Sequence, residues 1–168
     1  MMGILIVSSV NLNLRRARDS DADAIAEIYL RSRKELVACA PLVHSDQSVQ
    51  EWIKHKLLPE GDVTVATLGG VVVGFVAVSA GREKNGSKEC SWINQLYLLP
   101  TYTRRGIGTA LLDHALNTLP PPIRLHTFQC NETARRFYEH HGFKAITYGD
   151  GSGNEENRPD ILYEWDPE

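Results

Sequence analysis

Two stretches rich in β-branched residues, Val63 to Leu68 and Val71 to Ala80, meet at Gly69-Gly70. Such runs favour strands, and paired glycines supply the positive φ angles of a tight hairpin turn. An antiparallel pair therefore lies near the middle of the chain, and its neighbours must pack onto a sheet. Before it, Leu12 to Ala17 alternates apolar with polar residues and reads as a first strand. Ser20 can then cap a helix whose first turn carries Asp21 and Asp23, where the helix dipole favours carboxylates. Ile25, Ile28, Tyr29, Ser32 and Leu36 recur at helical spacing, so this helix runs to about Val37. After Pro41, Ser48 and Glu51 match a capping box for a second helix carrying Trp52, Ile53 and Leu57.

Beyond the hairpin, Gly81 to Lys88 is a polar loop, and Trp92 to Leu98 is a third apolar run ended by Pro100. Gly106 to Thr118 is helical, with Ile107, Leu111, Ala115 and Leu119 on one face, and Pro120-Pro121-Pro122 stops it. Arg124 to Gln129 reads as a strand, Asn131 to His140 as a helix, and Phe143 to Tyr148 and Ile161 to Trp165 as two last strands. Gly149 to Pro159, rich in Gly, Asn and Glu, is a turn-rich connection between those strands. Helical and strand segments so interleaved define a mixed α/β sheet. A chain of 168 residues, 42% of them apolar, is expected to form one domain over residues 1–168, with its core at about 12–165.

Composition narrows the function classes. Lys and Arg number 18 against 21 Asp and Glu, a net charge of −3, which argues against a general nucleic-acid binder. Cys39, Cys90 and Cys130 make no CxxC pair, so a disulfide framework or a four-cysteine zinc site is not expected. They leave room for one isolated pair, but read first as small buried thiols in a reducing compartment. The apolar start, Met1 to Val7, lacks a charged leading segment and is too short for a membrane span. A cytoplasmic protein with no membrane partner is the expectation. His140 and His141 are adjacent on a helix and point about 100° apart, poor geometry for a metal, and no metal is expected.

The segment Leu98-Leu99-Pro100-Thr101-Tyr102-Thr103-Arg104-Arg105-Gly106-Ile107-Gly108-Thr109 carries the strongest chemical signal. A strand ends, glycines open a turn and a helix begins, so free N–H groups point outward at the positive end of the helix dipole. Arg104 and Arg105 reinforce an anion site, with phosphate as the natural ligand class. A dinucleotide fingerprint would need glycine where Leu111 stands, and a P-loop would need a Gly-Lys pair, which the chain lacks. One strand further on, Asn131 can cap a helix. Tyr138, about two turns later, shares a face with Asn131, Ala134 and Arg135. Gly142 stops that helix and Phe143 returns to the sheet.

Taken together, a strand-end phosphate loop followed by Asn-x-x-Ala-x-x-x-Tyr-x-x-x-Gly-Phe resembles the GNAT superfamily of acetyl-CoA-dependent N-acetyltransferases, from about Leu12 to Trp165. The family loop usually begins with Gln or Arg where this chain has Thr103, a departure that touches one side-chain contact and not the backbone cradle. The resemblance implies the GNAT-like acyl-CoA N-acyltransferase fold, a central, mixed but mostly antiparallel sheet flanked by helices. It implies acetyl-CoA as co-substrate, with the loop backbone at Arg104, Arg105, Gly106, Ile107, Gly108 and Thr109 holding the pyrophosphate. It also implies that Leu96, Tyr97 and Leu98 pair with the pantetheine amides, that Asn131 contacts the pantetheine arm, and that Tyr138 protonates the leaving thiolate.

Acetyl transfer requires an amine that has lost its proton and a donor for the tetrahedral oxyanion. Many relatives place a carboxylate base on the central strand, where this chain has Asn94 and Gln95. The base is then water relayed through Asn94, a histidine such as His126, or a carboxylate from another element. His44 and Glu51, after the first helix, and Asp160, ahead of the last strand, are further acceptor-side candidates, although residues of these types mostly lie on ordinary surface. The expected activity is acetyl transfer to a small-molecule or peptide amine by direct attack in a ternary complex. Its rivals are a non-catalytic acyl-CoA sensor or interaction module and, more weakly, binding of another phosphate ligand such as a nucleotide. The sequence does not choose the acceptor, and a homodimer is compatible with it.

Overall fold

The β-branched runs form the hairpin, in a computed structural model that describes residues 11–168. β1 (Leu12–Arg16), β2 (Asp62–Leu68) and β3 (Val71–Ser79) are successive antiparallel neighbours. Between β2 and β3, Gly69 and Gly70 have φ of 55° and 82°, angles that glycine adopts without a Cβ clash. β6 (Ser91–Leu98), β7 (Ile123–Phe128), β8 (Lys144–Gly149) and β9 (Asp160–Trp165) complete a seven-stranded sheet in the order β1-β2-β3-β6-β7-β9-β8. Among the described residues only β6 and β7 run parallel. The expected mixed, mostly antiparallel sheet is what forms.

Both faces are covered, which is why β2 and β3 read as nearly continuous apolar runs. α1 (Ala22–Glu35), α2 (Asp46–Trp52) and the turn that follows α2 bury Ile25, Ile28, Val49 and Ile53 against Val63, Val65, Phe75 and Ala77. α4 (Ile107–Thr118) and α5 (Glu132–His140) cover the other face, where Leu111, Leu112 and Tyr138 meet Ile123, Leu125, Ile161 and Tyr163. Alternate residues of β2 and β3 thus serve different cores, as the strand period of two requires.

Four expectations change. Ser20 does not cap the first helix: the chain enters α1 through a turn at Asp19–Asp21, where Asp21 Oδ2 accepts the Arg18 N–H at 2.7 Å. α2 starts earlier than the Ser48/Glu51 capping box suggests: Ser45 is the cap, and its hydroxyl accepts the Ser48 N–H at 3.1 Å. This start puts Asp46 in the first turn and buries Val49, while Glu51 turns outward to His55 at 3.1 Å. α2 continues as a wide turn over Ile53–Leu57 into the short α3 (Leu58–Glu60). The polar loop after β3 contains a small hairpin, β4 (Glu83–Lys84) with β5 (Ser87–Lys88), turning at Asn85-Gly86, a pair suited to positive φ. Finally, Cys39 and Cys130 are joined in a disulfide with Cα atoms 5.7 Å apart, and Cys90 alone is free and half-buried. The partners are separated by 91 residues, so the fold and not a local spacing brings them together.

The feature that creates a site is a parting of strands. β6 and β7 share only the register pairs Ser91↔Ile123 and Trp92↔Arg124. Beyond Trp92 they diverge, leaving the β7 side of β6 without a partner strand. A bulge at Asn94, between the pairs Ala77↔Gln95 and Val78↔Ile93, bends β6 at the point of divergence. Among the described residues no helix is long and apolar enough to cross a membrane. The apolar stretch Met1 to Val7 lies outside the described residues.

Candidate active site

Three adjoining cavities follow the line of divergence. The first, of about 460 Å³, is bordered by Leu96 and Leu98 of β6, by Arg104, Gly106, Gly108 and Thr109 of the loop and α4, and by Phe137 and Tyr138 of α5. Gly106 caps α4 with φ 79° and nothing within 4 Å of where its Cβ would stand. The turn therefore needs a positive φ, and it leaves open space in front of the first free N–H groups of α4. Arg104 holds φ 62° at the rim. Arg105 lies over the Tyr102 ring at 5.1 Å, while Ile107 is buried in the core, so at Ile107 only the backbone can serve the cavity. An open helix start, glycines beside it and an apolar channel leading away suit a phosphate-bearing cofactor with a long arm.

The second cavity, about 440 Å³, occupies the gap between β6 and β7. Asn94, Gln95, Leu96 and Tyr97 form one wall; His126, Thr127 and Phe128 form the other; Asn131, Tyr138 and Asp160 close it. Leu96, Ala134 and Tyr138 border the first cavity as well, so Tyr138 stands where the two meet. It is 8% exposed, and burial, with Tyr97 nearby, pushes its phenol above the usual value. It therefore stays protonated and keeps a proton to donate. Asn131 caps α5, its Oδ1 accepting the Ala134 N–H at 3.2 Å, which leaves the amide NH₂ end to donate toward the cavity.

On the opposite side, Asp160 Oδ2 lies 3.6 Å from His126 Nδ1, and the His126 ring stacks on Trp92 with centroids 5.5 Å apart and planes 13° apart. The stack restrains the imidazole plane, and Asp160 stands within ion-pair reach of Nδ1 but beyond hydrogen-bond distance. Asp160 owes its place to Gly149, since a Cβ there would collide with Asp160 Oδ1. Asn94, at the bulge, donates to Ser79 Oγ at 2.6 Å.

The third cavity, about 360 Å³, lies between Tyr29, His44, Ser48, Val49, Trp52 and Glu155 and touches the second at Gln95. His44 is therefore a neighbour of the central cavity's residues rather than one of them, its Nε2 2.9 Å from Glu155 Oε2. Glu51, paired outward with His55, borders none of the three cavities. The sequence reading missed Arg33 and Glu156. Arg33 is 3% exposed, donates to the Pro41 carbonyl at 3.2 Å and to Glu156 at 3.4 Å, and lies 5.3 Å over the Phe128 ring. A signal existed: Arg33 stands one turn after Tyr29, beside the buried stripe, where an unpaired charge would be costly. Glu156 carried none, because the connection between β8 and β9 looks solvent-bound and folds back onto α1.

His141 braces the loop instead of binding metal. Its Nδ1–H donates to the Phe137 carbonyl at 2.7 Å, so Nε2 accepts from the Thr109 hydroxyl at 3.3 Å. Among the described residues no three His, Cys, Asp or Glu side chains gather as a metal site.

A central sheet parted along β6, with an open helix start at one end of the gap and a buried tyrosine where two cavities meet, is the type of site an acyl-CoA transferase requires. The sequence matches the acetyltransferase (GNAT) family over residues 24–143. An uncharacterized N-acetyltransferase of Archaeoglobus fulgidus is 32% identical over 155 residues, covering 86% of this chain and 100% of that one. The peptidyl-lysine N-acetyltransferase YiaC of Escherichia coli is 26% identical over 144 residues, 79% of this chain and 84% of its own. The PaiA N-acetyltransferase of Thermoplasma acidophilum, solved with coenzyme A, superposes with a TM-score of 0.69 at 23% identity, covering 92% of this chain and 98% of that one. The chain belongs to the GNAT family and is an acetyl-CoA-dependent acetyltransferase.

Proposed function

We propose that this protein transfers the acetyl group of acetyl-CoA to a primary amine by direct attack in a ternary complex. The observation that carries the proposal is Tyr138, shared by the first two cavities, with the His126–Asp160 pair on the far wall of the second. The backbone from Arg104 to Thr109 would hold the pyrophosphate, and the unpaired edge of Leu96, Tyr97 and Leu98, with Asn131, would hold the arm. Acetyl-CoA supplies an activated carbonyl and a thiolate leaving group. His126, oriented by Asp160, removes the ammonium proton, and a backbone N–H of β6 beyond the Asn94 bulge stabilises the carbonyl oxygen as it gains charge. Tyr138 then donates its phenolic proton to the departing sulfur.

Holding amine and thioester together supplies much of the acceleration, and a positioned acid or base contributes about 10²–10⁴-fold. The peptidyl-lysine activity named for YiaC supports an amine acceptor here. The test is acetyl-CoA-dependent thiol release over a panel of amines and peptides, with Tyr138→Phe and His126→Gln alongside. Acceptor-dependent release that falls in both variants supports the assignments. Acetyl-CoA binding without release by any acceptor favours a sensor instead, and full activity in His126→Gln moves the base elsewhere.

A further inference from the structure

The third cavity has a chemistry of its own. Tyr29 and Trp52 both border it, their ring centroids 6.1 Å apart and their planes tilted by 55°. Glu155 enters from the connection between β8 and β9 with His44 Nε2 2.9 Å from its carboxylate, and among the described residues no Lys or Arg borders the cavity. Buried Arg33, whose guanidinium lies beside the Tyr29 phenol, is already paired with Glu156 and held by the Pro41 carbonyl and the Phe128 ring. Aromatic faces attract cations and a carboxylate selects for them. An apolar group would leave Glu155, His44 and Ser48 desolvated without compensation, and an anionic group would face Glu155.

We propose that this cavity binds the second ammonium of a small aliphatic diamine whose first amine is acetylated in the central cavity. The two cavities meet at Gln95, so a short methylene chain passing that side chain joins them. The inference rests on the reading of the central cavity as the site of acetyl transfer. It makes the acceptor preference a property of α1, α2 and the β8–β9 connection, not of the parted strands.

Calorimetric titration of the full chain compares 1,4-diaminobutane and 1,6-diaminohexane with n-butylamine and n-hexylamine, in the wild type and in Glu155→Gln and Trp52→Leu. Glu155 has 57% of its side chain exposed, so its replacement leaves the fold intact. At least one diamine should bind about tenfold more tightly than its monoamine, as expected for an exposed cation–π contact joined to an ion pair. That ratio should fall toward one in both variants. Equal affinity of diamines and monoamines, no measurable diamine binding, or a preference that survives both substitutions overturns the proposal. Initial rates with acetyl-CoA separate it from the underlying reading. Diamine-selective binding with no acetylation of any amine leaves the cation site standing and removes the acetyl-transfer assignment.

Discussion

Glu156→Gln should destabilise the protein although it lies on an irregular connection. Its carboxylate lies 3.4 Å from Arg33 Nη2, and the two side chains are 16% and 3% exposed. Removing one partner of a buried pair costs about 3–5 kcal/mol. Here the Pro41 carbonyl and the Phe128 ring still hold the guanidinium, and water reaches the Glu156 side, so about 2–3 kcal/mol is expected. For a chain of this size each kcal/mol moves the melting temperature by about 2–4 °C, giving a fall of roughly 4–12 °C. Arg33→Met and the double variant complete a cycle, followed by circular dichroism during urea and thermal unfolding. The double variant should lose less than the sum of the single losses, with a coupling of at least about 1 kcal/mol. A coupling below about 0.5 kcal/mol, the usual error of additivity, would show that the β8–β9 connection is not anchored through this pair.

Gly108→Trp should fill the first cavity and abolish acetyl-CoA binding in a protein whose circular dichroism is unchanged; retained affinity in the folded variant would remove the loop from the cofactor site. Gly149→Ala should push the Asp160 carboxylate away from His126 and lower kcat by up to about 10²-fold, since misplacing a catalytic group by about 1 Å can cost that much; unchanged turnover in steady-state assays would argue against the pair. Asp21 accepts from Arg15 at 2.7 Å and from the Arg18 N–H at 2.7 Å, and these bonds hold its carboxyl below the usual range. With the folded value depressed, its stabilisation is complete above the unfolded value of about 3.9 and is lost as pH falls through the folded one. Asp21→Asn should therefore be less stable than wild type by about 1–3 kcal/mol at pH 7, with the two denaturation midpoints converging in strong acid; a gap independent of pH would contradict the assignment.

Local features were the legible ones. The Gly69-Gly70 hairpin, the Gly106 turn ahead of α4 and the Asn131 cap ahead of α5 each depend on residues close in sequence, so spacing reveals them. Tyr138 was legible because helical periodicity puts it on the same face as Asn131. The choice between Ser45 and Ser48 was not, because either serine can cap and the burial of Val49 decides. The Cys39–Cys130 disulfide joins residues 91 apart and the Arg33–Glu156 pair joins residues 123 apart, distances over which no periodicity carries information. Least legible was the parting of β6 from β7: Trp92 to Leu98 has the composition of a paired strand, and nothing local says that its partner leaves after Trp92.

That parting makes the sheet two panels, β1-β2-β3-β6 and β7-β9-β8, stitched by two register pairs. Amides lying along Leu96 and Leu98 would act as the missing rungs of a ladder, so occupancy of the gap becomes part of the tertiary structure. Ligand binding and the mechanical integrity of the sheet are then one equilibrium: each hundredfold excess of ligand over its Kd adds about 2.7 kcal/mol against unfolding. The slowest-exchanging backbone amides of the liganded protein should lie along β6, at the seam that is weakest without it.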